Sequence, residues 1–467
     1  MTAPAAGSWR PVALIVGALF FMEQLDTTIL ATALPVMAVD LGTDPLRMNL
    51  ALTAYLLTLT GFIPLSGALA DRFGSRRIMT GAVLLFTGAS LMCAWAPNLA
   101  TLVVARALQG VGGAMMVPVG RLALLRAAPP SEFVRAMSWV LIPAMLGPML
   151  GPPLGGLIVS WFSWHWIFYI NVPLGLAGAL FIRRHVAQHR TEQPRPLDLA
   201  GALLCGLALA CFVLGLEGLS AGHGPRALAW SLLGASVVAG LIYAWHARRH
   251  PAPVLDFRLM RIPTFGIAVV GGTLFRTGFG ALPFLLPMLL QLGFGYSPAQ
   301  SGAMTFVAAV GGLVMKAIST RLLRRFGFRD TLVWNGALCG LFLVACAGLS
   351  PAWPVALTGL LLLVGGLARS LQFNAYGTMC YVDVPGPRMS AATSFHDTFQ
   401  QLSLTLGISL GALAVSGSMW LQEREAPALS DFSLAFLLVG VIALAAVPVC
   451  HRLAPGAGTR FSGAAPR

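Results

Sequence analysis

Polar residues in this chain interrupt long apolar runs instead of alternating with them. Fourteen such runs can be drawn, at residues 11–38, 49–70, 78–96, 99–121, 134–159, 164–182, 198–217, 226–246, 263–290, 298–320, 331–349, 354–379, 390–420 and 432–450. A helix needs roughly 20 apolar residues to cross the hydrocarbon of a bilayer. Lipid leaves no partners for open backbone, so every run is expected to be a helix. The pattern therefore predicts an all-α membrane protein with fourteen transmembrane helices.

The joints between runs carry the next signal. Gly67-Ala-Leu-Ala-Asp-Arg-Phe-Gly-Ser-Arg-Arg77 is short and charged, and it closes a tight hairpin between spans 2 and 3. Arg324-Arg-Phe-Gly-Phe-Arg329 does the same between spans 10 and 11, and the shared Arg-Phe-Gly tripeptides start 253 residues apart. A duplicated architecture follows, a common construction for transporters. Residues 1–190 then form one six-helix half and residues 262–455 the other. Residues 191–261 form an inserted two-helix hairpin with basic, Pro-containing linkers, and residues 456–467 a tail. The first linker is expected to carry a short amphipathic helix on the membrane surface.

Composition fits a chain surrounded by lipid: 57% of the 467 residues are hydrophobic and 10% charged. A soluble protein of this size has too little interior to hide that much apolar surface. The net charge of +14 does not imply nucleic acid, because the cations sit in short loops and not on one soluble face. Counted across the joints, 23 cations fall on one side and only Arg47, Arg226 and Arg424 on the other, leaving Arg106, Arg276, Lys316 and Arg369 within spans. That asymmetry places both termini in the cytoplasm. The seven cysteines lie within or at the ends of apolar runs with no metal-site spacing, and read as small core residues. The first run is too long, and too charged at Glu23 and Asp26, for a cleavable signal.

Four stretches, in order along the chain, resemble one family. The Gly67–Arg77 joint looks like the signature loop of the major facilitator superfamily. Leu25-Asp-Thr-Thr-Ile-Leu-Ala-Thr-Ala-Leu-Pro35 resembles the first-helix motif of its 14-spanner drug:proton antiporters, the QacA/EmrB type. Arg106-Ala-Leu-Gln-Gly-Val-Gly-Gly113 resembles the fourth-helix motif, and Gly147-Pro-Met-Leu-Gly-Pro-Pro-Leu-Gly-Gly156 the fifth-helix antiporter motif. The match is closest to the enterobacterial-type multidrug-resistance exporters. One departure stands out: Arg324 occupies the place where Asp71 would map in the second half.

Glu23 and Asp26 are three apart and share a face of span 1. Acids within a span either line a water-filled path or are paired structurally. Two like charges a turn apart should titrate as a unit. Arg106, with Gln109 three residues on, is the other polar pair of the first half. The resemblance implies proton transfer or helix linkage for Arg106; the alternative is a structural pair with a carboxylate or carbonyl. Glycines 147, 151, 155 and 156 admit close helix approach, while Pro148 and Pro152 bend the span. The resemblance implies that this helix seals the two halves against each other. Asp71, flanked by Arg72, Gly74, Arg76 and Arg77, is expected to act as an inner latch released once per cycle.

In the second half Arg276 lies 250 residues from Asp26, near the repeat offset, which sets it across the cavity from the span 1 acids. Arg369, Gln372 and Asn374 form a further polar cluster. His396 and Asp397 are placed near the cytoplasmic end of span 13, solvated at the interface. The chain has no phosphate loop, zinc helix motif or soluble nucleotide domain, so it reads as no enzyme, with no cofactor or metal and an ion gradient as its energy source. The expected function is proton-coupled export of amphipathic compounds by a monomer of the bacterial inner membrane. Export of one metabolite, an organic acid or metal chelate, and a lipid-moving or scaffold role remain alternatives.

Overall fold

The computed structural model describes residues 9–127, 133–188, 198–220, 226–251, 253–385 and 388–454, and among them every regular element is helical. The N-terminus, most of the first linker and the C-terminal tail lie outside that set, and with them the expected amphipathic helix. The principal helices are α1 (Trp9–Ile29), α2 (Asn49–Phe73), α3 (Ser75–Ala94), α4 (Leu99–Ala127), α5 (Phe133–Trp161), α6 (Asn171–His185) and α7 (Leu199–Ser220). They continue as α8 (Arg226–Arg249), α9 (Pro263–Gly280), α10 (Pro298–Phe326), α11 (Phe328–Cys346), α12 (Val355–Met379), α13 (Met389–Leu421) and α14 (Leu429–Leu444).

Twelve helical stretches among the described residues are long and apolar enough to cross a membrane. Neither α5 nor α11 is among them. Several side chains near the start of α5 are not described, and α11 carries Arg329, Asp330 and Asn335 in its first turns, which lower its hydropathy. Many outward side chains are bare aliphatics, such as Leu180 at 69% and Leu241 at 66% exposure, a surface that calls for lipid.

Two expected runs are not straight helices. The first breaks into a 3₁₀ turn at Leu30–Thr32 and a short helix at Leu34–Asp40, because Pro35 withholds a backbone donor. The ninth ends at Gly280 and resumes as Leu282–Met288 and a wide π turn at Leu289–Gly293, where Pro283 and Pro287 do the same.

The chain divides into two compact units, Met1–Gly206 and Leu207–Arg467, with the division inside α7. In unit one, α1 packs mainly on α5, α2 and α3 both on α4, and α6 on α3. In unit two, α9 packs on α13, α10 and α11 both on α12, and α14 on α11. Each contact recurs eight helices later, so the duplication read from one tripeptide extends to the packing inside each unit.

The tripeptide itself has a backbone reason. Gly74 is the single residue between α2 and α3, at φ +93°, and Gly327 the single residue between α10 and α11, at φ +76°. A chain that leaves one helix and enters the next in one residue needs a left-handed φ, which is natural for glycine and costs other residues about 1–2 kcal/mol. Gln188 donates to the Phe73 carbonyl at 3.0 Å and lies against Gly74, so unit one's joint is also covered. Gly74→Ala and Gly327→Ala should each lower the melting temperature in detergent, by roughly 2–8 °C. Gly74→Ala should fall further, because its methyl also meets Gln188. Melting curves of the two variants, with Gly81→Ala as control, decide this; Gly81 faces open space.

Candidate functional site

The polar centre of unit one is drawn from five helices. Asp26 of α1, Ser90 of α3, Arg106 and Gln109 of α4 and Asn171 of α6 are each at most 1% exposed, and α2 contributes the Ala51 carbonyl. The (i, i+3) spacing of Arg106 and Gln109 aims both at Asp26. Arg106 Nη1 donates to Asp26 Oδ2 at 2.5 Å and to Gln109 Oε1 at 2.6 Å. Arg106 Nε donates to Ala51 O at 3.1 Å. Asp26 Oδ1 accepts from Gln109 Nε2 at 2.9 Å and from Asn171 Nδ2 at 2.7 Å. Gln109 Nε2 also donates to Ser90 Oγ at 2.8 Å.

This network fixes the orientation of Gln109. Flipping its amide would set donor against donor at Arg106 and acceptor against acceptor at Asp26. The guanidinium also stacks 4.4 Å from the Tyr55 ring centroid, a cation–π contact strengthened by desolvation. The motif threonines bond back to their own helix, Thr27 and Thr28 hydroxyls donating to the Glu23 and Gln24 carbonyls, both at 2.8 Å, and Thr28 also reaches the Gly147 carbonyl of α5 at 3.3 Å.

Glu23 is placed differently. It is 6% exposed, and its Oε2 has no hydrogen-bond partner among the described residues. Arg106 Nη2, Tyr55 Oη and Arg121 Nε are likewise unpartnered there. Arg121 lies within electrostatic range of Glu23 and stacks 5.2 Å from Phe20. Buried polar atoms without partners are rare.

The α5 glycines support this centre directly. A Cβ on Gly147 would stand 2.7 Å from Gln24 Cβ, one on Gly151 would overlap Thr28 Oγ1, and one on Gly155 would overlap the Ile29 carbonyl and Thr32 Oγ1. The helix they meet is α1 of the same unit, so the expectation that this face touches the opposite half is corrected for these three positions. Gly151 and Gly155 are four apart, as are Gly147 and Gly151, so one face of α5 is bare backbone and α1 can lie on it. Gly156 is buried, and Pro148 and Pro152 are half-buried. Of the joint residues, Asp71 and Arg76 are half-buried and Arg72 and Arg77 exposed; the surroundings of Gly67 and the side chain of Arg324 lie outside the described set.

Unit two has its own buried polar groups. Arg276 is 1% exposed, and its Nη2 lies 3.3 Å from His396 Nε2, while Cys380 Sγ lies 2.9 Å from His396 Nδ1. A guanidinium only donates, so Nε2 accepts and Nδ1 carries the proton. His396 is 4% exposed; its expected solvation at the interface is corrected, because α9 covers the start of α13 there. Asp397 is half-buried and engaged with other groups. Gln372 pairs with Asn335 at 2.8 Å and Asn374 with Ser319 at 3.2 Å. Arg369 is exposed, 5.5 Å from the Phe373 ring centroid, and exposed Lys316 is within its electrostatic range.

Sequence reasoning missed Ser90, Asn171 and Asn335. Each is a single small polar residue inside an apolar run, and nothing local separates it from a helix residue bonded to its own backbone.

The family profile of the Major Facilitator Superfamily matches residues 16–408. The chain is 40% identical over 395 residues to the Cronobacter sakazakii protein named "Putative multidrug resistance protein MdtD", covering 84% of this chain and 83% of that one. To its Salmonella newport namesake it is 41% identical over 398 residues, 84% of each. Among solved structures, the POT family transporter PepTSo superposes with TM-score 0.69 at 15% identity, covering 94% of this chain and 97% of that one, a likeness of fold.

Proposed function

The chain belongs to the Major Facilitator Superfamily, and from that premise we propose that it is a proton-coupled antiporter exporting small amphipathic compounds from the cytoplasm by alternating access. In this reading all fourteen helices span the bacterial inner membrane, both termini are cytoplasmic and the protein works as a monomer. The name shared by the relatives, multidrug resistance protein, supports the substrate class.

The observation that carries the reading is the contrast between the two acids of α1. Asp26 is paired with Arg106 and accepts from two amide donors. Glu23 has an oxygen without a partner, and a buried charge so placed is expensive. In this reading Glu23 is the group that carries the exchanged proton. With Asp26 and Arg106 cancelling, the charge of the α1 centre changes with Glu23 alone. A cationic substrate entering beside Glu23 favours its ionised form and displaces the proton. When the site opens to the other face, the substrate leaves and a proton returns.

The drive is adequate. One pH unit supplies about 1.4 kcal/mol per proton and 100 mV about 2.3 kcal/mol per charge. One proton exchanged for a neutral compound uses both, about 3.7 kcal/mol, for several hundred-fold accumulation. Exchange for a monovalent cation moves no net charge and leaves about tenfold.

The test is substrate-induced proton release from purified protein. Wild type should release protons on adding a lipophilic cation such as ethidium. Glu23→Gln should reduce that release at least roughly tenfold while keeping its melting temperature, because Gln retains the volume and removes the proton site. Unchanged release in Glu23→Gln would return the proton to another group.

Lys316 and Arg369 favour a second reading, export of an organic anion. Two cations near mid-helix, within range of each other and without an ion pair among the described residues, are suited to a carboxylate. In the same assay an aromatic or polycarboxylic acid replaces the cation. A response to the acid alone, lost in Arg369→Gln, selects this reading.

A further inference from the structure

A groove of about 490 Å³ runs between α1 and α6 on the outside of unit one. Its walls are Leu14, Ala18 and Met22 from α1 and Leu174, Gly178 and Phe181 from α6, and the one polar side chain in its lining is His185, at one end. Ala18 and Gly178 leave the floor open, while Leu14 and Phe181, each 51% exposed, form the rims. On α1 the groove extends from Pro11 to Met22, about 17 Å at the helical rise. That is about one leaflet of a hydrocarbon core roughly 30 Å thick.

The polar end is strongly cationic. Arg183, Arg184 and His185 make up the last turn of α6 and are all exposed, and exposed Arg10 immediately precedes Pro11, where the groove starts. His185 Nδ1 lies 3.1 Å from the Phe181 carbonyl, so that nitrogen donates inward and Nε2 is left for a ligand. An apolar slot one leaflet deep, ending in a histidine with Arg184 on the adjoining face of α6 and Arg10 beside the start of α1, matches one molecule: a chain with an anionic head.

We propose that this groove is a binding site for an anionic glycerophospholipid, with one acyl chain along α1 and α6 and the phosphate on Arg10, Arg184 and His185. The assignment is independent of the transport mechanism. A helix of another protein would cover the rims but leave the cations unanswered, and a free phosphate would leave the groove empty. Basic pockets between transmembrane helices are suited to lipid head groups for the same electrostatic reason.

The experiment is native mass spectrometry of delipidated protein, titrated with phosphatidylglycerol or phosphatidylcholine of identical chains. Wild type should prefer phosphatidylglycerol roughly tenfold or more. Arg10→Gln/Arg184→Gln should erase the preference and retain weak binding of both lipids, whereas Arg183→Gln, on the far face of α6, should leave it intact. Ala18→Phe fills the slot from an exposed position and should weaken both lipids together, with an unchanged melting temperature. Equal affinity for the two lipids in wild type overturns the head-group assignment. Normal binding in Ala18→Phe overturns the groove. Competition by glycerol phosphate alone, without a chain, makes it an anion site instead, and formation of a dimer cross-linked through Leu14→Cys makes it a protein interface.

Discussion

Asp26→Asn should abolish transport of every substrate and lower thermal stability, although the protein still reaches the membrane. Asp26 and Arg106 form an ion pair with no solvent exposure. Removing one partner of such a pair leaves the other charge buried and uncompensated, at about 3–5 kcal/mol. Asparagine cannot repair the network. Every group facing Asp26 is a donor: Arg106 Nη1 on one oxygen, Gln109 Nε2 and Asn171 Nδ2 on the other. Whichever way the new amide turns, its NH₂ faces a donor. A loss near the lower bound corresponds to roughly 6–12 °C in melting temperature for a unit of this size. Efflux from proteoliposomes, together with a melting curve, gives the readout. Asp26→Glu, which keeps the charge, should recover much of the stability. Wild-type efflux by Asp26→Asn would mean that the cluster is scaffolding with no part in the cycle.

Gly151→Leu should be equally severe for a different reason. The three glycines of α5 lie on α1 opposite Gln24, Thr28, Ile29 and Thr32, the turns that carry Asp26. A leucine there cannot be absorbed by a flexible tip. It meets Thr28 Oγ1 at once and the Ile29 nitrogen 3.1 Å from its first carbon. Overpacking costs about 1–3 kcal/mol when side chains can shift, and more when backbone must. Here α1 has to move, which draws Asp26 off Arg106. Transport should fall below detection while membrane insertion persists. Gly81→Leu, on a face of α3 with nothing nearby, should transport normally. If Gly151→Leu and Gly81→Leu behave alike in vesicles, the α1–α5 seam is looser than its contacts indicate.

What the sequence conveyed and what it withheld have physical causes. The helices were legible because hydrocarbon thickness imposes a length, and α2 at Asn49–Phe73 or α12 at Val355–Met379 simply satisfies it. The doubled Arg-Phe-Gly was legible because a one-residue joint requires glycine's left-handed φ at Gly74 and Gly327. Asp26, Arg106 and Gln109 stood out singly, since each is polar inside an apolar run. Their union did not, because 80 residues separate Asp26 from Arg106 and no local periodicity records which helices pack. The same limit hid α1 as the partner of the α5 glycines: a bare face announces close approach but not what approaches. His396 was misplaced because distance from a helix end predicts solvation only when no neighbour covers that end, and Arg276 does.

All seven cysteines are free, and six are buried. One of them touches the polar centre of each unit: Cys93 Sγ is 3.7 Å from Gln109 Oε1, and Cys380 Sγ is 2.9 Å from His396 Nδ1. A thiol reacts only as fast as reagent can reach it. The rate at which a small water-soluble maleimide modifies Cys93 is therefore a clock for the opening of unit one's centre, and Cys380 keeps separate time for unit two. With the other six cysteines replaced by serine, leaving Cys93 or Cys380 alone, the two centres can be timed independently, with and without substrate.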